Sequence, residues 1–404
     1  MSLRAAIRAL ASGLFTVALA GAIAAGAPVQ AQAAPLPRVD LPAPTGPYQV
    51  GTRALEMVDR SRPAGFGHPG PRRLMVQVTY PRVRGRCRAA PYAPPAIFRE
   101  LLKVIAETRN AEVRTGVCAG GRVARGRHAV LIFSHAYTAD RFVYTALESD
   151  LASRGYIVVS PDHTFDAFAV WFPGGKLVTG LFGTPLASKP VSAGTLANLL
   201  AVRTADVRFV LSRIESLAER RGSFLRGHVD RAEVGILGHS LGGATATRAA
   251  TLDRRIRASA NIDGSLFGGW AERVRSRKPF LLLTSEILNP AEYRSESLCR
   301  YFAHARVPKW ALSLPGALHL SYSDFEALAP QIARIDPNWS YAKLYPAVLG
   351  TIDPARAIAA QRAAVARFFD VYVRRIGKRF KPPAAFAPIP DPGRCTEPAA
   401  GPAG

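Results

Sequence analysis

Ser240 stands in Gly238-His239-Ser240-Leu241-Gly242-Gly243, after the apolar run Val234-Gly235-Ile236-Leu237 and before the helix-forming stretch Ala244-Thr245-Ala246-Thr247-Arg248-Ala249-Ala250. A Gly-x-Ser-x-Gly pentapeptide between a buried strand and a helix is a nucleophile elbow, in which a sharp turn holds the serine in a strained conformation and glycines leave room for it. A serine hydroxyl is a weak nucleophile, so it needs a general base, and the base needs an acid to orient it. In elbows of this kind the order along the chain is Ser, acid, His. Only His304 and His319 of the eight histidines follow the serine by enough residues. His304 precedes the last predicted strand, whereas His319 follows it in Pro315-Gly316-Ala317-Leu318-His319, so His319 is the expected base. Asp263 and Glu286 each end a predicted strand. Asp263 is favoured as the acid because Gly264 permits a tight turn after it, and Glu286 stays as the alternative. Two backbone N–H groups must bind the oxyanion. Leu241, next after the serine, supplies one, and Tyr137 in Ser134-His135-Ala136-Tyr137 is the expected second. His135 is read as shaping that loop.

These residues need a scaffold that brings strand ends together. Ala129-Val130-Leu131-Ile132-Phe133 has no polar face, as expected of a parallel strand covered on both sides. Further strands are predicted over 48–59, 72–82, 155–163, 258–264, 279–286 and 310–314, with a Gly/Pro loop over 60–71. Helices are predicted over 96–107, 142–154, 195–219 and 355–374. Strand and helix alternate, so the expected class is α/β, with a mostly parallel doubly wound sheet, helices on both faces and a small cap. The cap is expected over 164–193, rich in Phe165, Phe168, Trp171, Phe172 and Phe182, as either a functional loop or a second packing layer.

The chain of 404 residues opens with Arg4 and Arg8, an apolar stretch, and Ala31-Gln32-Ala33, the pattern of a secretory signal peptide over residues 1–33. Secreted or periplasmic localisation follows. A Pro- and Ala-rich lead-in is expected over 34–47, one domain over 48–381 with an insertion over 84–127, and a Pro-rich tail over 382–404. Four cysteines in an exported chain suggest two disulfides, Cys87 with Cys118 and Cys299 with Cys395 by their order. No cysteine has a second ligand at close spacing, so a zinc site is a poor alternative to the disulfides. The formal charge of +24 is carried by arginines scattered over all segments. No nucleic-acid-binding motif accompanies them, so overall composition and general solubility account for most of that charge, with an anionic membrane or envelope surface as a lesser expectation.

Phe133 to Tyr137, Tyr144, Asp150 to Val158, Arg203, Asp206, Gly238 to Gly243, Ile262-Asp263-Gly264 and Gly316 to Phe325 occur in one order. In this the chain resembles the plasma-type platelet-activating-factor acetylhydrolases over about 130–370. The resemblance implies the α/β-hydrolase fold, a Ser240, Asp263 and His319 triad, oxyanion donors Tyr137 and Leu241, and no cofactor. The family carries glycine where Ala136 stands. The expected reaction is hydrolysis of a small-molecule or lipid ester through an acyl-enzyme, with short or oxidised acyl chains of phospholipids as the expected substrates. A general esterase or polyester hydrolase is the alternative, and a hydrolase-fold envelope-binding protein without catalysis is the second.

Overall fold

Apolar runs such as Ala129 to Phe133 cannot offer a face to water, and they form strands sandwiched between helices. The computed structural model describes residues 37–105, 112–184, 187–189, 191–267, 269–271, 273–286, 297–335, 345–390 and 392–393. The expected leader over 1–33 and Cys395 lie outside the described residues. In chain order the strands are β1 (Arg38–Asp40), β2 (Gln49–Gly65), β3 (His68–Arg82), β4 (Glu112–Arg114), β5 (Cys118–Ala119), β6 (His128–Ser134), β7 (Ile157–Pro161) and β8 (Ala169–Trp171). They continue with β9 (Leu177–Thr179), β10 (Gly183–Thr184), β11 (Ala187–Ser188), β12 (Val229–His239), β13 (Ile256–Ile262), β14 (Phe280–Thr284), β15 (Lys309–Ser313) and β16 (Ala387–Pro388). The helices used below are α1 (Pro95–Ile105), α2 (Thr145–Ser153), α3 (Ala193–Glu219), α4 (Leu241–Leu252), α5 (Ser297–His304), α6 (Phe325–Ile335) and, after the short Tyr345–Leu349 turn, α7 (Pro354–Tyr372).

Ten strands form one sheet in the order β16-β15-β14-β13-β12-β6-β7-β3-β2-β5. From β15 to β7 all neighbours are parallel, and β3 returns antiparallel to β7. This is an α/β-hydrolase sheet, in which β6, β12, β13 and β15 end on one edge. Alternation along the strands divides the core: Val130 and Ile132 meet α3 and α4, while Leu131 and Phe133 meet α2 and α7. Helix α3 starts at Ser192, whose hydroxyl accepts from the Thr195 N–H at 3.1 Å. Helix α7 starts at Asp353, which accepts from the Arg356 N–H at 2.9 Å, with Pro354 in the first turn.

Three segments differ from expectation. The predicted loop over 60–71 is instead the outer half of a long β2–β3 hairpin, paired as far as Gly65 with His68. Its prolines are accommodated at register shifts near Pro63, and Phe66 (φ 55°) and Gly67 (φ 78°) make the turn. The lead-in supplies β1, which pairs with β4 of the insertion, and Val39 and Leu41 are buried. The tail adds β16 to the edge of β15. Cys87 and Cys118 form the expected disulfide, which closes the loop carrying α1. Cys299 is buried and disulfide-bonded. The segment 164–193 forms the hairpins β8–β9 and β10–β11, packed on the β2–β3 tip: Phe165 stacks on His68 at 3.9 Å, and Phe182 meets Phe66 at 5.9 Å. Among the described residues no helix is long and apolar enough to cross a membrane.

Candidate active site

Strand β12 passes into α4 through Ser240 alone. Its backbone has φ 58° and ψ −124°, a conformation that costs an L-residue energy and persists because neighbours hold it. The Ser240 N–H donates to Ile262 O at 2.8 Å, and Ser240 O accepts from the Gly243 N–H at 2.8 Å. The flanking glycines serve close approach. A Cβ on Gly238 would lie 2.6 Å from Ser134 O, and one on Gly242 would lie 2.6 Å from His135 O.

Asp263, just beyond β13, also has positive φ (52°). Its N–H donates to Leu283 O at 2.7 Å, and its Oδ1 accepts from the Ser285 N–H at 2.7 Å. Its Oδ2 accepts from His319 Nδ1 at 2.6 Å. Burial alone would raise this carboxyl, but the His319 ring and the Ser285 N–H outweigh burial and hold it below the usual range. His319 opens a 3₁₀ turn, His319–Tyr322, in the loop after β15, and its side chain is 46 % exposed against 2 % for Asp263. The pair therefore has one buried end and one open end. The His319 ring lies 4.5 Å from the ring of His239, the residue before Ser240.

Glu286 lies elsewhere. Its Oε2 accepts from the Gly316 N–H at 2.8 Å, and its own N–H donates to Ala317 O at 2.8 Å. It thus braces the loop that carries His319, while the imidazole faces Asp263. His304 ends α5, ahead of β15, on the opposite edge of the sheet.

Leu241 is the first residue of α4, where the helix has no internal acceptor for its N–H. The loop after β6 brings Tyr137 to the same cluster as Leu241. Ala136 is not in the left-handed region; Thr138 (φ 58°) takes that conformation. Alanine in place of the family glycine therefore adds no backbone strain. The loop is anchored from several sides. The Ala136 N–H donates to Tyr144 Oη at 3.1 Å, which leaves the Tyr144 hydroxyl to donate to His239 Nδ1 at 3.0 Å. His135 Nε2 accepts from the His163 N–H at 3.1 Å. The guanidinium of Arg203, fully buried, holds His135 O and Ala136 O while pairing with Asp166. Burial and the Arg203 charge push the His135 imidazole well below its ordinary range, so it is neutral.

Beneath the loop runs a second chain. The Ser134 hydroxyl meets His163 Nε2 at 2.9 Å, and His163 Nδ1 meets Asp206 Oδ2 at 3.0 Å. Arg72 and Arg62 both pair with Asp206, at 2.7 and 2.8 Å. Sequence reasoning gave none of these residues a role, although one signal was present: Arg203 and Asp206 interrupt the buried stripe of α3 that Leu199, Val207 and Val210 define. Charged residues on a buried stripe must be paired.

Three groups, His239, Asp263 and His319, place ligand-type atoms within 4.8 Å of one another. Hydrogen bonds occupy the inner atoms: Asp263 and His319 use theirs on each other, and His239 Nδ1 accepts from Tyr144.

The sequence matches the family described as platelet-activating factor acetylhydrolase, isoform II, over residues 96–172 and 218–373. A probable 1-alkyl-2-acetylglycerophosphocholine esterase of Arthroderma benhamiae is 28% identical over 315 residues, covering 71% of this chain and 77% of that protein. The platelet-activating factor acetylhydrolases of Cavia porcellus and Bos taurus are 25% and 27% identical, and the alignments span 49% and 50% of their lengths. Among solved structures, a ferulic acid esterase from Streptomyces cinnamoneus superposes with a TM-score of 0.70 at 30% identity, covering 87% of this chain and 99% of that one. With the family match extending over more than half of its length, the chain belongs to the platelet-activating factor acetylhydrolase isoform II family.

Proposed function

We propose that this ester hydrolase works through Ser240, His319 and Asp263. His319 Nε2 takes the proton of Ser240 Oγ as the oxygen attacks the ester carbonyl, and Asp263 fixes the Nδ1–H tautomer and stabilises the imidazolium. The N–H groups of Leu241 and Tyr137 receive the oxyanion. Collapse breaks the bond to the alcohol, which leaves with the proton from His319. Water, deprotonated by His319, then attacks the acyl-Ser240 ester and releases the acid. The observation that carries this reading is the 2.6 Å Asp263–His319 bond, open on the imidazole side, beside a serine at φ 58°.

Short or oxidised acyl esters of phospholipids are the first substrate class, in keeping with the names of the relatives. A second reading, an esterase for aromatic acids, is favoured by a line of rings next to Leu241, in which Tyr137 meets Phe182 at 5.7 Å and Phe182 meets Phe66. The leader directs export, and the surplus of cations favours an anionic surface.

The test combines Ser240→Ala with an acyl series of p-nitrophenyl acetate, butyrate and octanoate, 1-alkyl-2-acetyl phosphocholine and methyl ferulate. The variant is expected to lose about 10⁴-fold or more in kcat on every substrate. Unchanged hydrolysis by Ser240→Ala would refute the assignment, and the wild-type series selects between the two substrate classes.

A further inference from the structure

The parallel strands have two edges, and Ser240, Asp263 and His319 all follow strand C-termini. The opposite edge is made of the segments that enter the strands. Arg125 enters β6, Arg254 enters β13, Arg275 and Arg277 enter β14, and Arg306 enters β15; Arg122 lies beside Arg125. All six are exposed and make no salt bridge among the described residues. Arg275, Arg277 and Arg306 line one open hollow of about 350 Å³ with His304, and no acid lines it. A second hollow of the same size holds Arg122 and Arg125, again without an acid. Several carboxylates of this edge are spent: Asp253 and Glu215 pair with Arg255, and Asp370 pairs with Arg374. Asp230 and Glu233, at the start of β12, remain against this surplus.

Apolar side chains share the same edge. Five large hydrophobic residues are exposed among the described ones: Tyr48, Val83, Leu181, Leu252 and Ile376. Leu181 lies in the cap. Val83 lines the Arg122 hollow, and Leu252 lies next to Arg254. Ile376 lies between Arg375 and Lys378, on a segment tied to the entry of β7 by the Arg374 bond to Arg154 O. Tyr48 sits at the same entry, its N–H on Ser153 O. Single exposed hydrophobics are ordinary, but four of five gathered on one edge among unpaired guanidiniums are not what scatter gives.

We propose that this edge docks on an anionic phospholipid bilayer, with Leu252, Ile376 and Val83 entering the interface and the guanidiniums facing lipid phosphates. Apolar tips set among cations suit a lipid interface, which satisfies both; a soluble polyanion offers nothing to the tips. The strands hold the catalytic edge roughly 20 Å from the docked edge, at about 3.3 Å per residue. A docked enzyme therefore presents its active site to water and draws its ester from solution. Only this orientation rests on the Ser240 assignment.

Flotation of the full chain with phosphatidylcholine–phosphatidylglycerol vesicles, against pure phosphatidylcholine, tests the proposal. Binding is expected only to the anionic vesicles. It should weaken about a hundredfold in the triple variant Arg254→Glu, Arg277→Glu, Arg306→Glu, and about tenfold in Leu252→Ser, Ile376→Ser. Hydrolysis of p-nitrophenyl acetate should be unchanged in both variants and in the presence of vesicles. Circular dichroism checks folding if the wild type itself proves inactive. Absence of anionic-vesicle binding, or binding indifferent to the charge reversals, would overturn the proposal. So would heparin binding as tight as vesicle binding together with full vesicle binding by the Leu252→Ser, Ile376→Ser variant, which would make the face a polyanion site. Inhibition of soluble-ester hydrolysis by vesicles would overturn the orientation.

Discussion

Two sets of Ser, His and Asp occupy this molecule, each with a histidine Nδ1 on an aspartate, and they differ in almost everything else. Ser134, His163 and Asp206 form a complete hydrogen-bonded line, yet all three are fully buried, and Ser134 ends a regular strand. Ser240, His319 and Asp263 are arranged around an elbow, with a strained serine, an exposed imidazole and helix N–H groups nearby. The charges differ as well. Asp206 carries two arginines that neutralise it, and burial lowers the His163 imidazole to about 4, so that centre stays in one protonation state. Asp263 has no arginine within salt-bridge distance among the described residues, and its negative charge is directed at His319. On the proposed reading, residue type and hydrogen-bond order are insufficient for catalysis, and accessible space, a poised serine and a carboxylate without an arginine partner make the difference. The buried line supports the loop that carries Tyr137.

The sharpest contrast is between the two aspartates. Asp263→Asn should lower kcat about 10⁴-fold on p-nitrophenyl butyrate with the fold intact, because the imidazole loses its tautomer and its counter-charge. Asp206→Asn should cost about 3–5 kcal/mol in urea unfolding by leaving Arg72 buried without an acid, with kcat per folded molecule nearly unchanged. Equal kcat losses would erase the distinction. Glu286→Gln in the same assay should fall far short of Asp263→Asn.

Arg203 links the two regions. Arg203→Met should reduce kcat about 10- to 100-fold with KM within about threefold, because the loop bearing Tyr137 loses its anchor while substrate binding persists. A change confined to thermal stability would make Arg203 a core residue only.

The pH dependence of stability separates the regions next. The unfolded chain protonates His163 near the ordinary histidine value of 6.5, whereas the folded chain does so near about 4. Above 6.5 neither state gains a proton there. Between about 6.5 and 4 the unfolded state binds one that the folded state refuses, so stability falls as pH drops, by on the order of 3 kcal/mol from this group. Buried His135 and His239 act in the same direction. Urea midpoints of His163→Gln should decline less steeply than wild type over this window, and a parallel decline would exclude the mechanism.

The smallest effect is expected at Ser134. Ser134→Ala should retain kcat within about threefold and lose about 1 kcal/mol of stability for one buried hydrogen bond. A kcat loss as deep as that of Ser240→Ala would mean that the buried line takes part in chemistry.

What the sequence determined by itself is local: hydrophobic runs mark strands, the elbow pentapeptide marks a strand-to-helix turn, and chain order selects His319. Such signals are written in a few adjacent residues, because backbone conformation and burial act over that range. Asp263 was favoured on a neighbouring glycine, and Cys87 with Cys118 on adjacency. The tertiary structure alone decided where long side chains end. Glu286 and Asp263 look alike at strand ends, and only the folded loop shows one on the Gly316 backbone and the other on an imidazole. The hairpin over 60–71 was hidden because prolines read as breakers until a bulged partner strand accommodates them. The Arg203 and Asp206 anchors, and the cationic edge opposite Ser240, join residues from segments far apart in the chain. Their energy comes from long-range pairing and burial, which no window of sequence contains.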